Sequence, residues 1–384
     1  MEPLTVAMVG QRGVPATFGG IEHHVEEIGA RLAERGHRVV AFNRPRYADA
    51  VGSHRGIELV RVRTIHSKHL DAIVHSSLST VAAMRRRVDV VHFHALGPGI
   101  PAVLPRFLSR AQVVLTVHGL DGERQKWGAV ARTTLRAGEW LSARVPDATI
   151  VVSNDLRRHY LERHGRPTWF VPNGVDTPRP AEPAGALERL GVRPGGYLLF
   201  VGRLVPEKAP DMLVRAFGEV DTDLRLVIAG GSSFTDGFEV ALAAAAATDR
   251  RIVMAGYVFG RELDELYANA AAFVLPSTLE GMPLTLLEAA SHGAPVVASD
   301  IPPNVEILGA SGPGRRLFEA GSQASLASAL RAVLANPDPE RAGARALRTR
   351  ILERYSWDDA ALATESVYEA ILNGERAPAS LLST

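Results

Sequence analysis

At 384 residues the chain is too long for one ordinary hydrophobic core and is expected to form two units of comparable length. Its 46% hydrophobic and 22% charged content fits a soluble globular protein and excludes a disordered one, while the absence of cysteine excludes disulfides and thiolate metal sites and leaves the cytosol as the default compartment. The formal net charge of +1 hides an asymmetry: residues 1–175 hold 24 Lys and Arg against 15 Asp and Glu, so the halves carry about +9 and −8.

Met1-Glu2-Pro3 lacks the basic start of a secretory leader, and Val6 to Gly10 reads as a strand. No apolar run approaches the roughly 18 residues of a membrane helix, so no transmembrane segment is expected. Short apolar runs at Leu4–Val9, Val39–Phe42, Val88–Phe93, Val113–Val117 and Ala148–Val152 alternate with helical patterns, which indicates βαβ units and a parallel sheet. In the first helix Ile21, Val25, Ile28 and Leu32 recur at helical spacing, and Gly36 supplies the stop. Between first strand and first helix, Gly10-Gln11-Arg12-Gly13 and Gly19-Gly20 let the backbone approach a ligand at a helix start that favours negative charge. The glycine spacing is not the dinucleotide fingerprint, and the second strand ends at Asn43 where an NAD site wants an acid, which argues against an oxidoreductase. His92 and His94 share one strand face; with no matching carboxylates they are expected to pack or to line a cleft. Arg85-Arg86-Arg87, ahead of the strand at Val88, is the densest basic run and fits either a solvated helix end or an anionic membrane.

The proline-dense stretch 177–183 marks a linker, after which strands are expected at Tyr197–Val201, Leu224–Ala229, Ile252–Met254, Ala272–Leu275 and Val296–Ala298. Ala241–Ala247 is low in complexity but a good helix former. The expected organisation is a first domain over 1–176, a linker over 177–196, a second domain over 197–355, and a C-terminal helix and tail over 356–384 packing back toward the first domain. Two such α/β halves usually place a ligand in the cleft between them.

Arg203 and Lys208 leave the strand ending at Val201, where a planar fork and a flexible ammonium can neutralise one diphosphate. Glu280 and Glu288 stand eight positions apart in Glu280-Gly281-Met282-Pro283-Leu284-Thr285-Leu286-Leu287-Glu288. Pro283 suits a first helical turn, which puts Glu280 in the loop and Glu288 inside the helix, and that helix start is a natural seat for a diphosphate. Carboxylates beside such a seat would repel the anion unless they bind hydroxyls, and sugar and ribose hydroxyls fit. Asp221-Thr222-Asp223 has the form of a metal-holding acid pair, but its place ahead of the strand at Leu224 makes it a loop pair, and no metal is expected.

Taken together the chain resembles family-4 glycosyltransferases of the GT-B fold over nearly its whole length. The resemblance is carried by Gly10-Gln11-Arg12-Gly13-Val14-Pro15 with Gly19-Gly20-Ile21-Glu22, by Val117-His118-Gly119-Leu120-Asp121, by Pro172-Asn173-Gly174-Val175-Asp176, by Gly202-Arg203 with Lys208, and by Glu280 through Glu288. The N-terminal segment together with Lys126-Trp127-Gly128 is similar to a bacterial rhamnosyl- and glucosyltransferase subgroup of surface-polysaccharide assembly. The resemblance implies an α/β, GT-B architecture: two Rossmann-like, doubly wound parallel-sheet domains facing across a cleft. It implies a retaining transferase that moves a sugar from a nucleoside-diphosphate sugar to an acceptor hydroxyl of a glycan or lipid-linked acceptor, with no nucleic-acid partner and no cofactor. Arg203 and Lys208 would bind the donor diphosphate, Glu280 the donor sugar, Glu288 the ribose, and main-chain groups near Tyr257 and Val258 the base. Gly19, Gly20, Gly281, Met282, Pro283 and Leu284 would complete the donor site, with His118 beside the donor sugar and Arg12, Glu22 and His23 on the acceptor side. A sugar-nucleotide epimerase of the same fold and a non-catalytic nucleotide- or glycan-binding protein are the alternatives. The expected location is cytoplasmic, with peripheral contact at the inner membrane face left open.

Overall fold

The computed structural model describes residues 2–378 except 18, 46, 48, 49, 51, 66–70, 121–128, 180–182 and 232–235. Two compact units emerge, Met1–Gly174 with Trp357–Thr384, and Val175–Ser356. The first begins β1 (Thr5–Val9), α1 (Gly20–Glu34), β2 (Arg38–Asn43), β3 (Gly52–His54), β4 (Ile57–Arg61), α2 (Asp71–Arg85) and β5 (Val90–His94). It continues α3 (Val103–Leu108), β6 (Gln112–Val117), α4 (Ala129–Ser142), β7 (Ala148–Val151), α5 (Asn154–His164) and β8 (Trp169–Phe170). The second holds α6 (Ala186–Leu190), β9 (Tyr197–Val201), α7 (Pro210–Gly218), β10 (Arg225–Ala229), α8 (Asp236–Ala246), β11 (Ile252–Gly256) and α9 (Gly260–Asn269). There follow β12 (Ala272–Leu275), α10 (Leu284–Ser291), β13 (Val296–Ser299), α11 (Pro302–Leu308), β14 (Arg315–Phe318), α12 (Gln323–Ala335) and α13 (Pro337–Arg354), and the chain closes with α14 (Trp357–Leu372) in the first unit.

The first sheet has the order β3-β4-β2-β1-β5-β6-β7-β8 and is parallel apart from the β3/β4 pair; the second, β11-β10-β9-β12-β13-β14, is parallel throughout. Parallel strands are joined by crossover helices that cover both faces, so central strands must be apolar on both sides. Val6 to Val9 and Leu198 to Phe200 are accordingly fully buried, which is why they read as unbroken apolar runs. In the second unit Phe200, Leu213, Phe217, Leu226, Ile228, Val274, Leu326 and Leu330 form one core. In the first, α14 packs on α1, with Trp357 1% exposed and the Tyr368 hydroxyl 2.7 Å from His92 Nδ1.

The segment 177–196 holds a short helix: α6 forms within it, because Ala186 and its neighbours offer an apolar face to α9 and the Ala186 N–H donates to Glu265 Oε2 at 2.8 Å. Its residues 180–182 lie outside the described residues. The segments at β3, β4, β8 and β14 are strands although none was expected there; they lie at or next to sheet edges and carry polar or half-exposed residues instead of apolar runs.

Candidate functional site

The second sheet reverses its order at β9, with β10 on one side and β12 on the other. Such a reversal leaves a crevice outside the carboxyl ends of the strands, where α/β proteins bind ligands. Two of the sequence segments meet there. Arg203 and Lys208 come from the loop after β9, and Glu280 to Leu284 come from the loop after β12. The two loops are tied together: the Thr278 N–H donates to the Glu207 carbonyl at 2.9 Å, and Lys208 Nζ forms an ion pair with Glu280 Oε1, their side chains 15% and 8% exposed. Arg203 is more open at 37% and stands 3.9 Å from Glu207 Oε1. The adjacent loop after β10 comes so close that a Cβ on Gly230, φ +138°, would lie 1.8 Å from the Gly202 carbonyl oxygen, so only glycine fits.

Gly281, Met282 and Pro283 are buried and lead into α10. Pro283 is the cap and not a residue of the first turn: it is extended, φ −76° and ψ 110°, and Leu284 opens the helix. A proline costs nothing there, since a cap needs only its carbonyl, which accepts from the Leu286 N–H at 3.2 Å. One turn on, Glu288 receives the Tyr267 hydroxyl on Oε2 at 2.9 Å, which fixes the carboxylate. Burial and the neighbouring Glu288 hold the Tyr267 phenol well above its ordinary range, so it remains a donor. Tyr257 and Val258 follow β11; Val258 is buried, while the Tyr257 ring is 45% exposed and stacks on Phe259 at 5.8 Å.

In the first unit Gly10 is required, since at φ +121° a Cβ would lie 2.4 Å from the His94 carbonyl oxygen. Glu22, buried in α1, accepts the Arg12 N–H on Oε1 at 2.9 Å, and its other oxygen would collide with any Cβ at Gly19. Glu22 therefore clasps the glycine-rich loop through the Arg12 N–H. Gly20 opens α1, and the Arg12 guanidinium lies 5.1 Å over the Tyr47 ring. His23 turns its ring to Trp357 at 5.6 Å.

His118 follows β6 and is largely buried, with Nε2 3.3 Å from His94 Nδ1 and its ring 4.6 Å from that of His24. His24 is buried and bonds Asn173 Oδ1 through Nδ1 at 2.9 Å. Sequence reasoning missed His24, whose only signal was the presence of Asn173 in a quoted motif 149 residues away. Burial, with the neighbouring imidazoles adding to it, lowers His24 to about 4, His92 to about 3, and His94 and His118 well below the usual histidine range. The group is therefore uncharged near neutrality and presents hydrogen-bonding nitrogens in place of positive charge. His92 is a packing residue, bonded to Tyr368 and to Thr116 Oγ1 at 2.7 Å.

Among the described residues two groups could each bring three ligand atoms within 4.8 Å: His24, His94 and His118, and Glu139, His159 and His164. In the first only His94 and His118 are hydrogen-bonded to each other, with His24 bonded to Asn173; in the second Glu139 Oε1 receives both histidine Nε2 atoms at 2.8 Å. Asp221 and Asp223 lie between α7 and β10, at the amino end of the sheet, beside Arg251 reaching the Val220 and Thr222 carbonyls. Arg85 ends α2 and Arg86 and Arg87 follow it ahead of β5, at the opposite end of the first sheet from Arg12 and His118, and Arg86 lies 3.4 Å from Glu58. Asp121 and Lys126-Trp127-Gly128 lie outside the described residues.

Residues 18–179 match the family described as Glycosyltransferase Family 4, and residues 195–336 match Glycosyl transferases group 1. A D-inositol 3-phosphate glycosyltransferase of Geodermatophilus obscurus is 31% identical, the match covering 88% of this chain and 82% of that protein. A glycogen synthase of Mycobacterium tuberculosis is 29% identical over 98% of this chain and 97% of that protein. The sucrose-phosphate synthase structure from Thermosynechococcus elongatus superposes with a TM-score of 0.83 at 22% identity, covering 97% of this chain and all of that one. With two parallel-sheet α/β units and these matches, the chain belongs to glycosyltransferase family 4 and has the GT-B architecture.

Proposed function

We propose that the chain transfers a sugar from a nucleoside-diphosphate sugar to an acceptor hydroxyl with retention of the anomeric configuration. The observation that carries this reading is the meeting of Lys208, Arg203 and Glu280 with the start of α10 at the reversal point of the second sheet. Fixed positive charge beside free helix N–H groups stabilises a departing diphosphate without the reorganisation that water would need. Glu280 accepts donor-sugar hydroxyls, Glu288 accepts ribose hydroxyls in the orientation set by Tyr267, and main-chain groups at Tyr257 and Val258 hold the base. Gly19 and Gly20 let the backbone approach the donor, and uncharged His118, backed by His94 and His24, offers a hydrogen bond to its sugar. Arg12 is left as the acceptor-side side chain of its loop, with Glu22 positioning it. No protein nucleophile is assigned; the leaving phosphate assists removal of the acceptor's proton on the same face of the sugar.

A thermal-shift panel of UDP, dTDP, GDP and ADP, followed by their sugars, tests the reading. One nucleoside diphosphate at 100 times its dissociation constant should stabilise the chain by about 2.7 kcal/mol, and its sugar should do so equally in EDTA. Absence of any stabilisation, or stabilisation only with added magnesium or manganese, would overturn the metal-independent donor site.

Contact with an anionic membrane is the second part of the proposal, and it rests on a surface at the amino ends of β5 and β6, the end of the first sheet away from Arg12 and His118, so that it anchors the chain and does not itself present the acceptor. There Arg85 ends α2, with Arg86 and Arg87 directly after it; α2 packs against α3, and α3 presents Phe107 and Leu108 at 75% and 70% exposure. Arginines contribute roughly 1 kcal/mol each near an anionic bilayer, and the apolar pair adds insertion. The chain should cosediment with anionic but not neutral vesicles at low salt. It should be released as the Debye length falls from about 10 Å at 0.1 M to about 3 Å at 1 M salt. Replacing the three arginines with glutamate should abolish binding while sparing nucleotide binding; equal sedimentation with neutral vesicles would remove the electrostatic model.

A further inference from the structure

Helix α10 has two ends, and the donor site takes its start and Glu288, one turn in. Eight residues at about 1.5 Å each place its far end roughly 12 Å away. At that end lies a cavity of about 340 Å³, lined by Arg179, Ser291, His292, Gly293, Arg345 and Arg348 among others, with no acidic side chain in the lining among the described residues. The volume is that of a small-molecule site. Arg345 and Arg348 stand three residues apart on α13 and so share a face. The Arg348 Nε–H donates to the Ser291 carbonyl at 2.7 Å, which fixes that guanidinium in the wall.

Among the described residues no carboxylate pairs with the arginines of this wall. Arg189, Arg215, Arg251 and Arg316 of the same unit each hold a carboxylate, whereas among the described residues neither Arg345 nor Arg348 does. The nearest acid to the cavity's histidine, Asp264, stands 3.4 Å from His292 Nε2, is half-exposed and is not part of the lining. Two guanidiniums on one rigid helix face match a phosphate group in charge and in donor geometry.

The cavity wall also touches the group that holds Glu288. His292 Nδ1 lies 2.9 Å from the Glu288 carbonyl, and its ring packs 5.4 Å from Tyr267, whose hydroxyl fixes the Glu288 carboxylate. We propose that this cavity is a second anion site, taking a small phosphorylated metabolite, and that its occupancy strengthens nucleotide binding by fixing the Tyr267–Glu288–His292 group. The coupling rests on the ribose role proposed for Glu288; the binding does not.

The test uses the full chain with glycerol 3-phosphate and, in parallel, inorganic phosphate as probes, followed by calorimetry. Glycerol 3-phosphate should bind at one site in the unaltered chain and in Lys208→Ala, which removes the donor-side cation, and at least tenfold more weakly in Arg345→Glu. Arg345 is exposed, so this variant carries little folding risk, and an unchanged melting temperature verifies it. Saturating glycerol 3-phosphate should tighten the best nucleoside diphosphate of the panel at least fivefold, within the usual range of coupling between sites, and Arg345→Glu should abolish the gain. Phosphate alone should bind more weakly with the same variant dependence. Binding lost in Lys208→Ala but kept in Arg345→Glu would assign the anion to the donor site and overturn the proposal. So would no binding at all, or binding that leaves nucleotide affinity unchanged. A chain that binds no nucleotide but still takes glycerol 3-phosphate through Arg345 would overturn the donor assignment and the coupling while keeping the anion site.

Discussion

Glu280→Gln is expected to lower the transfer rate constant kcat/KM by roughly 10- to 150-fold while changing the affinity for the bare nucleoside diphosphate by less than about threefold. The range follows from the 1.5–3 kcal/mol of a hydrogen bond to a charged group, at 1.36 kcal/mol per decade. The split follows from position. Glu280 lies in the loop ahead of α10 and is assigned to sugar hydroxyls, so its loss removes contacts that a bare nucleotide never makes. Neutralising it also releases Lys208 from its ion pair, which leaves the ammonium at least as available to the diphosphate. Turnover within twofold of the unaltered chain would remove Glu280 from the sugar site, and a parallel collapse of nucleotide affinity would make it a structural partner of Lys208.

Most of both sheets was legible because their central strands are buried on both faces and so spell continuous apolar words; Tyr197–Val201 and Ala272–Leu275 match to the residue. The edge strands were not, since β3 and β14 bury only part of one face and carry polar residues there. The meeting of the second-unit segments was legible because loops leaving the carboxyl ends of neighbouring strands lie side by side, and Arg203, Lys208 and Glu280 stand in two such loops. His24 was not, because its meaning depends on His94, His118 and Asn173, brought to it from three other parts of the chain, and a histidine on a helix face usually packs. The bond from the Arg12 N–H to Glu22 was not legible for a related reason: the carboxylate faces back onto its own loop, a geometry that spacing does not specify. The arginine run could have been placed by rule, since a segment preceding a strand sits at the amino end of a parallel sheet. Its apolar companions Phe107 and Leu108 could not, because exposure is a property of the folded surface.

Lys208→Met should weaken the nucleoside diphosphate by roughly 10- to 150-fold, again from the 1.5–3 kcal/mol of a charge-assisted contact. Methionine keeps most of the aliphatic stem and removes only the ammonium. Two causes would produce the same loss. Lys208 could contact the diphosphate itself, or it could merely neutralise Glu280, whose carboxylate is 8% exposed and would repel an anion once its partner was gone. The double variant Lys208→Met/Glu280→Gln separates them, because contacting residues reveal their coupling in such a cycle. If the ammonium acts on the phosphate, the double variant should remain at least tenfold weaker than the unaltered chain. Recovery to within about twofold would show that Lys208 only shields the anion from Glu280, and would leave Arg203 and the α10 start as the phosphate site.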